Sequence, residues 1–96
     1  MSTGNSKYGY RALESNTTVD GNSTAIGAHA LRESTAKWNT AVGAYSGVVT
    51  TSGTSNTSLG VNTLLNNTEG SYNTALGTAS MCFNTTGINN LSLIHI

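Results

Sequence analysis

Few side chains in this sequence are equipped for chemistry. His29 and His95 are the two histidines, and Cys82 is the one cysteine. A lone cysteine forms neither an internal disulfide nor a cysteine-rich zinc site, and these residues do not make up a His/Cys ligand set. No base stands at a recognisable spacing from Cys82 to activate its thiol. Within Ser80-Met81-Cys82-Phe83 it reads instead as a small buried hydrophobe. His29 falls in a variable position after Gly27-Ala28 and reads as an exposed loop residue. The acids Glu14, Asp20, Glu33 and Glu69 show no pairing suited to acid–base work. The glycines do not form G-x-G-x-x-G or a phosphate loop. Calcium-binding nonapeptide repeats need a recurrent Asp, and Asp20 is the only one. The expectation is a protein that is not an enzyme and has no catalytic, metal or cofactor site.

Composition narrows the class further. The chain has 96 residues, 36% of them hydrophobic and 8% charged, with no proline. Asn, Ser, Thr and Gly make up more than half of it. Four basic and four acidic residues cancel, so there is no basic excess to hold nucleic acid. No apolar run reaches the roughly 20 residues that span a bilayer, and no secretory signal pattern is present. Disordered chains pair low hydrophobicity with high net charge and abundant Pro, Glu and Lys. Polar, uncharged, β-branched and glycine-punctuated sequence points to stacked strands and tight turns.

The elements that position these residues come from a repeat. Asn5-Ser6-Lys7-Tyr8-Gly9, Ser23-Thr24-Ala25-Ile26-Gly27, Asn39-Thr40-Ala41-Val42-Gly43, Asn56-Thr57-Ser58-Leu59-Gly60 and Asn73-Thr74-Ala75-Leu76-Gly77 share one pattern: Asn, Ser or Thr, small, apolar, Gly. The glycines are spaced by 18, 16, 17 and 17 residues. Three and four residues after each stands a pair such as Ala12-Leu13, Ala30-Leu31, Thr63-Leu64 or Ser80-Met81, with Ser46-Gly47 the weak copy. A polar corner such as Asn67-Thr68-Glu69-Gly70 or Asn84-Thr85-Thr86-Gly87 closes the unit.

A 17-residue unit is too short for a helical-pair repeat and suits one turn of a β-solenoid. The predicted fold is all-β: a parallel β-roll or β-helix of about five coils, starting near residues 5, 23, 39, 56 and 73 and occupying 1–90. The motif is a strand. The Ala-Leu segment is a second strand or a short helical turn. The Asn/Gly corner supplies left-handed backbone. Strands of successive coils pair in parallel about 4.8 Å apart, so Asn39, Asn56 and Asn73 stack, with amides able to bond along the axis. Alternation along the strand puts Ala25, Ala41, Ser58 and Ala75 on one face, and Ile26, Val42, Leu59 and Leu76 on the other, with Tyr8 at their head. A coil this small favours the small column inside, leaving the large one as an outward interface stripe; the reverse assignment stays open. The drifted copy, with Gly47 for Leu and no corner glycine after Ser34, predicts an irregular coil around 32–50.

These repeats resemble those of bacteriophage tail-fibre proteins and, more distantly, the heads of YadA-like trimeric autotransporter adhesins. The resemblance covers residues 5–90. It implies a homotrimeric, rod-like fibre segment in a virion tail or at a cell surface. Such a segment attaches to a host glycan or protein, with self as the other partner and neither nucleic acid nor membrane insertion involved. A third reading is an ice-binding solenoid, although each strand offers one threonine where that activity usually needs two.

The last six residues, 91–96, match the translation of a transposon-end sequencing adapter. They are read as a library artefact on a metagenomic fragment whose natural sequence continues past residue 90. Met1 is then an internal start. Sequons at Asn16, Asn22, Asn56, Asn66 and Asn84 are expected from composition alone. Trp38 and Tyr72 share one position, just before the motif Asn. Packing at the corner between coils is the favoured expectation for them, and stacking on a sugar is the alternative.

Overall fold

A computed structural model of the chain describes residues 4–15 and 21–93. Six short strands form one parallel sheet in sequence order. They are β1 (Ser6–Tyr8), β2 (Thr24–Ile26), β3 (Thr40–Val42), β4 (Thr57–Leu59), β5 (Thr74–Leu76) and β6 (Leu91–Ser92). Each pairs with the next at the register the motif dictates: Ala25 with Ala41, Ala41 with Ser58, and Ser58 with Ala75. The chain is therefore a β-solenoid of about five coils, as the spacing predicts. β6 places Leu91 on Thr74 and Ser92 on Ala75. Ile94, His95 and Ile96 lie outside the described residues.

Sheet bonding carries on past the strands. Gly43 N–H donates to Ile26 O at 2.7 Å, Tyr45 N–H to Ala28 O at 2.9 Å, and Gly47 N–H to Thr63 O at 2.8 Å. The Ala-Leu segment is neither strand nor helix among the described residues. In the second coil it opens with two overlapping β-turns: Ala30 N–H donates to Gly27 O, and Arg32 N–H to His29 O, both at 3.2 Å. The third residue of each turn has positive φ, as type II turns require. These residues are His29 (63°) and Leu31 (49°) in one coil, and Asn62 (61°) and Leu64 (49°) in another. A helical turn would direct its N–H groups back along the chain. These turns leave alternate groups free to reach the adjacent coil.

The corner glycines have a different purpose from the expected one. Gly53, Gly70 and Gly87 are absent from the positive-φ residues. They are required by close approach: a Cβ on Gly53 would stand 2.2 Å from Gly70 O, and one on Gly70 would stand 2.5 Å from Gly87 O. Three consecutive N–H groups, those of Thr51, Ser52 and Gly53, converge on Thr68 O at 3.0–3.2 Å. A side chain has no room in that convergence. The motif glycines meet both demands. Gly43 has φ 128°, and its Cβ would stand 2.5 Å from Gly60 O.

The coil expected to be irregular keeps its strand register and its turns. Gly47 adopts φ 59°, close to that of Leu31 and Leu64, so the drift from Leu changes no backbone. The 16-residue spacing is absorbed at one corner. Two residues separate Thr35 from Trp38, where three separate Thr51 from Ser55. The residue added in the 18-residue unit falls in 16–20, outside the described residues.

The interior changes character along the stack. Ala12, Leu13, Ala25, Ala30, Leu31 and Ala41 form an apolar cluster. Beyond it the same columns carry hydroxyls. Ser46 Oγ lies 2.6 Å from Ser58 Oγ and 2.7 Å from Thr63 Oγ1, and Thr63 Oγ1 donates to Gly60 O at 2.8 Å.

Two substitutions test the backbone account by thermal or denaturant unfolding. Gly43→Ala should cost about 3 kcal/mol or more, because it meets both a φ that non-glycine residues avoid and a backbone contact. Ala79→Gly, ordinarily destabilising, should instead be neutral or stabilise by about 0.5–1 kcal/mol, since Ala79 sits at φ 61°.

Candidate binding surface

Strand alternation sorts side chains into columns. Asn39, Ala41, Asn56, Ser58, Asn73 and Ala75 are buried, and Thr40 and Thr57 are exposed. The apolar motif residues face outward: Ile26 is 44% and Leu59 is 49% exposed, Val42 and Leu76 are half-buried, and Tyr8 at their head is exposed. Register pairing brings Tyr8, Ile26, Val42, Leu59 and Leu76 into one continuous file. Among the described residues no second sheet packs over it, because all described strands belong to a single sheet.

The buried asparagines are what allow polar side chains inside so small a coil. Asn39 Oδ1 accepts the Asn56 N–H at 3.0 Å, and Asn39 Nδ2 donates to Gly53 O at 2.8 Å. Asn56 repeats this with the Asn73 N–H at 3.0 Å and Gly70 O at 2.8 Å. Asn73 does so with the Asn90 N–H at 3.1 Å and Gly87 O at 2.7 Å. Each amide thus bonds mainly to the backbone of the next coil. Direct amide–amide bonding occurs from Asn56 Nδ2 to Asn39 Oδ1 at 3.2 Å. In the first coils the same place is taken by Asn5, whose Oδ1 accepts the Ser23 N–H at 2.8 Å, and by Ser23, whose Oγ accepts the Asn39 N–H at 3.2 Å.

A second polar column fares less well. Asn84 Nδ2 donates to Asn67 Oδ1 at 2.9 Å, but the equivalent residues before them are Thr50 and Ser34. Thr50 Oγ1 and Ser34 Oγ are buried with no hydrogen-bond partner. Their side chains are too short to reach the carbonyl that an asparagine would find.

Of the residues first considered for chemistry, Asp20 and His95 lie outside the described residues. Among the described residues no group of three or more His, Cys, Asp or Glu is placed to hold a metal ion. Among the described residues no helix is long and apolar enough to cross a membrane. His29 is half-buried rather than a free loop residue. It stacks on Tyr45 at 4.8 Å between centroids and meets the edge of Tyr10 at 5.5 Å, and its Nδ1 lies 3.1 Å from Arg32 Nη1. The Arg32 Nη2 bond to Glu33 Oε2, at 2.7 Å, raises that guanidinium's pKa. Cys82 is half-buried in the turn ladder rather than enclosed, because that turn position lies at the coil surface. A hollow of about 640 Å³ at the first coil is lined by Lys7, Tyr8, Tyr10, Arg11 and Glu14, with Arg11 and Glu14 ion-paired at 3.3 Å.

No protein-family model, curated protein or solved structure matches the chain.

Trp38 and Tyr72 depart from the expected corner packing. They are 56% and 61% exposed, and both have left-handed backbones, at φ 64° and 60°. No signal in residue type marked this outward placement. It follows from the register.

Two changes probe the polar interior by unfolding. Thr50→Val keeps the shape and removes an unpartnered hydroxyl, so it should stabilise by about 1 kcal/mol. Asn56→Asp replaces the donor to Gly70 O with an acceptor and should cost about 3 kcal/mol near neutral pH. Burial raises the introduced carboxyl's folded pKa above its unfolded value of about 3.9. The variant's stability should therefore recover as pH falls towards 4 and be lost as pH rises through the folded value.

Proposed function

We propose that this chain is a structural and adhesive segment of a homotrimeric fibre, of the phage tail-fibre kind, that attaches to a host surface. One observation carries the reading: the apolar file Tyr8, Ile26, Val42, Leu59 and Leu76 runs unbroken along the outer strand face. The coil does not need those side chains, because its interior is filled from the opposite face. An apolar file that water reaches at every coil, exposed at Tyr8, Ile26 and Leu59 and half-buried at Val42 and Leu76, is what a second and third copy would cover. Three solenoids packed through such a file bury what one leaves wet. A fibre of this kind displays three copies of any weak binding surface, so that avidity replaces single-site affinity. The head of a trimeric adhesin is the second reading, supported by the same file and separated from the first by the anchor such a protein carries.

Sedimentation of the purified chain should give the mass of three 9.9 kDa protomers. A well-folded monomer that persists at high protein concentration sinks the fibre reading. Val42→Asp should raise the dissociation constant of the trimer by tenfold or more while the far-ultraviolet β signal of the coils is kept.

A further inference from the structure

Trp38 and Tyr72 hold one position two coils apart, with Ser55 between them. Main-chain bonds of a single ladder set all three. The Trp38 N–H donates to Gly21 O at 2.9 Å, the Ser55 N–H to Lys37 O at 3.4 Å, and the Tyr72 N–H to Thr54 O at 3.0 Å. The backbone is left-handed at each, with φ of 60–64°. The rings are therefore mounted on a periodic frame rather than on loops. Two coil rises separate them by about 10 Å, which is the repeat of a disaccharide in an extended 1,4-linked chain. Rings at that interval can stack under alternate sugars, and the small Ser55 leaves the intervening sugar unobstructed. On the strands beside them, Thr40 and Thr57 expose hydroxyls one coil apart.

Charge points the same way. From residue 38 to residue 90 the sequence holds one charged side chain, Glu69. Lys37 Nζ stands 5.9 Å from the Trp38 centroid, where it favours one ring position. Apart from Lys37 beside its first ring, this column of two aromatic platforms with exposed threonines beside them is uncharged, which suits a ligand with apolar C–H faces, many hydroxyls and no ionised groups. We infer that the Trp38–Ser55–Tyr72 column, with Thr40 and Thr57, is a binding platform for an extended, neutral, 1,4-linked polysaccharide. This rests on the attachment role proposed above and names the class of ligand.

Trp38 is the only tryptophan, so its fluorescence reports on the platform directly. Titration of the full chain with cellohexaose should give a saturable change in emission, while the anionic hexamer of galacturonic acid gives a weaker one. Tyr72→Asn keeps a residue that tolerates this φ, as Asn22 and Asn89 do at the same position, and should weaken binding roughly tenfold. No emission change at millimolar cellohexaose overturns the inference. So does unaltered affinity in Tyr72→Asn, or preference for the anionic hexamer. Sedimentation of the same samples separates the two proposals. A trimer that ignores the sugar removes the platform and leaves the fibre, whereas a monomer that binds it removes the fibre and leaves the platform.

Discussion

The governing constraint is the axial rise. Each coil sits about 4.8 Å above the last, so like residues stack directly and each N–H of the ladder meets a carbonyl of the adjoining coil, as Leu31 N–H meets Ser46 O. At that distance like must tolerate like. Glycine over glycine succeeds because there is no Cβ: one on Gly43 would meet Gly60 O, and one on Gly53 would meet Gly70 O. Asparagine over asparagine succeeds because one end of the amide accepts from the next backbone while the other donates to the next corner. Alanine over alanine succeeds because it is small. Most other residue types would leave a clash or an orphaned polar group on the inside.

The same rise explains how the chain sustains a costly backbone. Left-handed φ at a non-glycine residue is uncommon and unfavourable by roughly 1–2 kcal/mol. Yet Arg11, His29, Tyr45, Asn62 and Ala79 adopt it at one position of successive coils, and Leu13, Leu31, Leu64 and Met81 at another. A single turn of this kind would relax. Here each N–H and C=O is committed to the coils on either side, as with Leu31 N–H to Ser46 O and Leu13 N–H to Ala30 O. Relaxing one coil would forfeit bonds in two others, so the strain persists because its surroundings over-determine it.

This accounts for what was legible in the sequence. Strand positions and register follow from the spacing of Gly27, Gly43, Gly60 and Gly77, since a ladder needs only equal steps and a recognisable rung. The turn conformation was hidden because its left-handed positions hold mostly Arg, Tyr, Leu, Ala and Met, types with no preference for that region. The corner glycines were legible as necessary but for the wrong reason: steric approach between coils is invisible in a single unit. Gly47 looked like damage in the sequence and is harmless, because a left-handed position accepts glycine readily. The real cost of the drifted coil sits on Ser34 and Thr50, whose hydroxyls have no partner. As for the candidate surface, the outward file was legible as alternation, while the exposure of Trp38 and Tyr72 goes with a left-handed backbone that their residue types do not announce.

Periodicity also divides the molecule into parts that obey different rules. Interior columns answer to the coil and accept only what fits: Ala, Ser, Asn and Gly on the strand and corner, and Leu and Thr where the turns leave more room. Exterior columns answer to nothing within the chain and are free to vary from coil to coil. The position after each motif glycine does vary, running Tyr10, Ala28, Ala44, Val61 and Thr78. The strand column does not: Tyr8, Ile26, Val42, Leu59 and Leu76 are all large and apolar although water reaches them. Uniformity in a column that the coil leaves unconstrained calls for a constraint from outside it. In the proposed trimer, burial against neighbouring copies would supply one of the right chemistry and the right period, because a second solenoid would have the same rise and would meet each rung with a rung of its own.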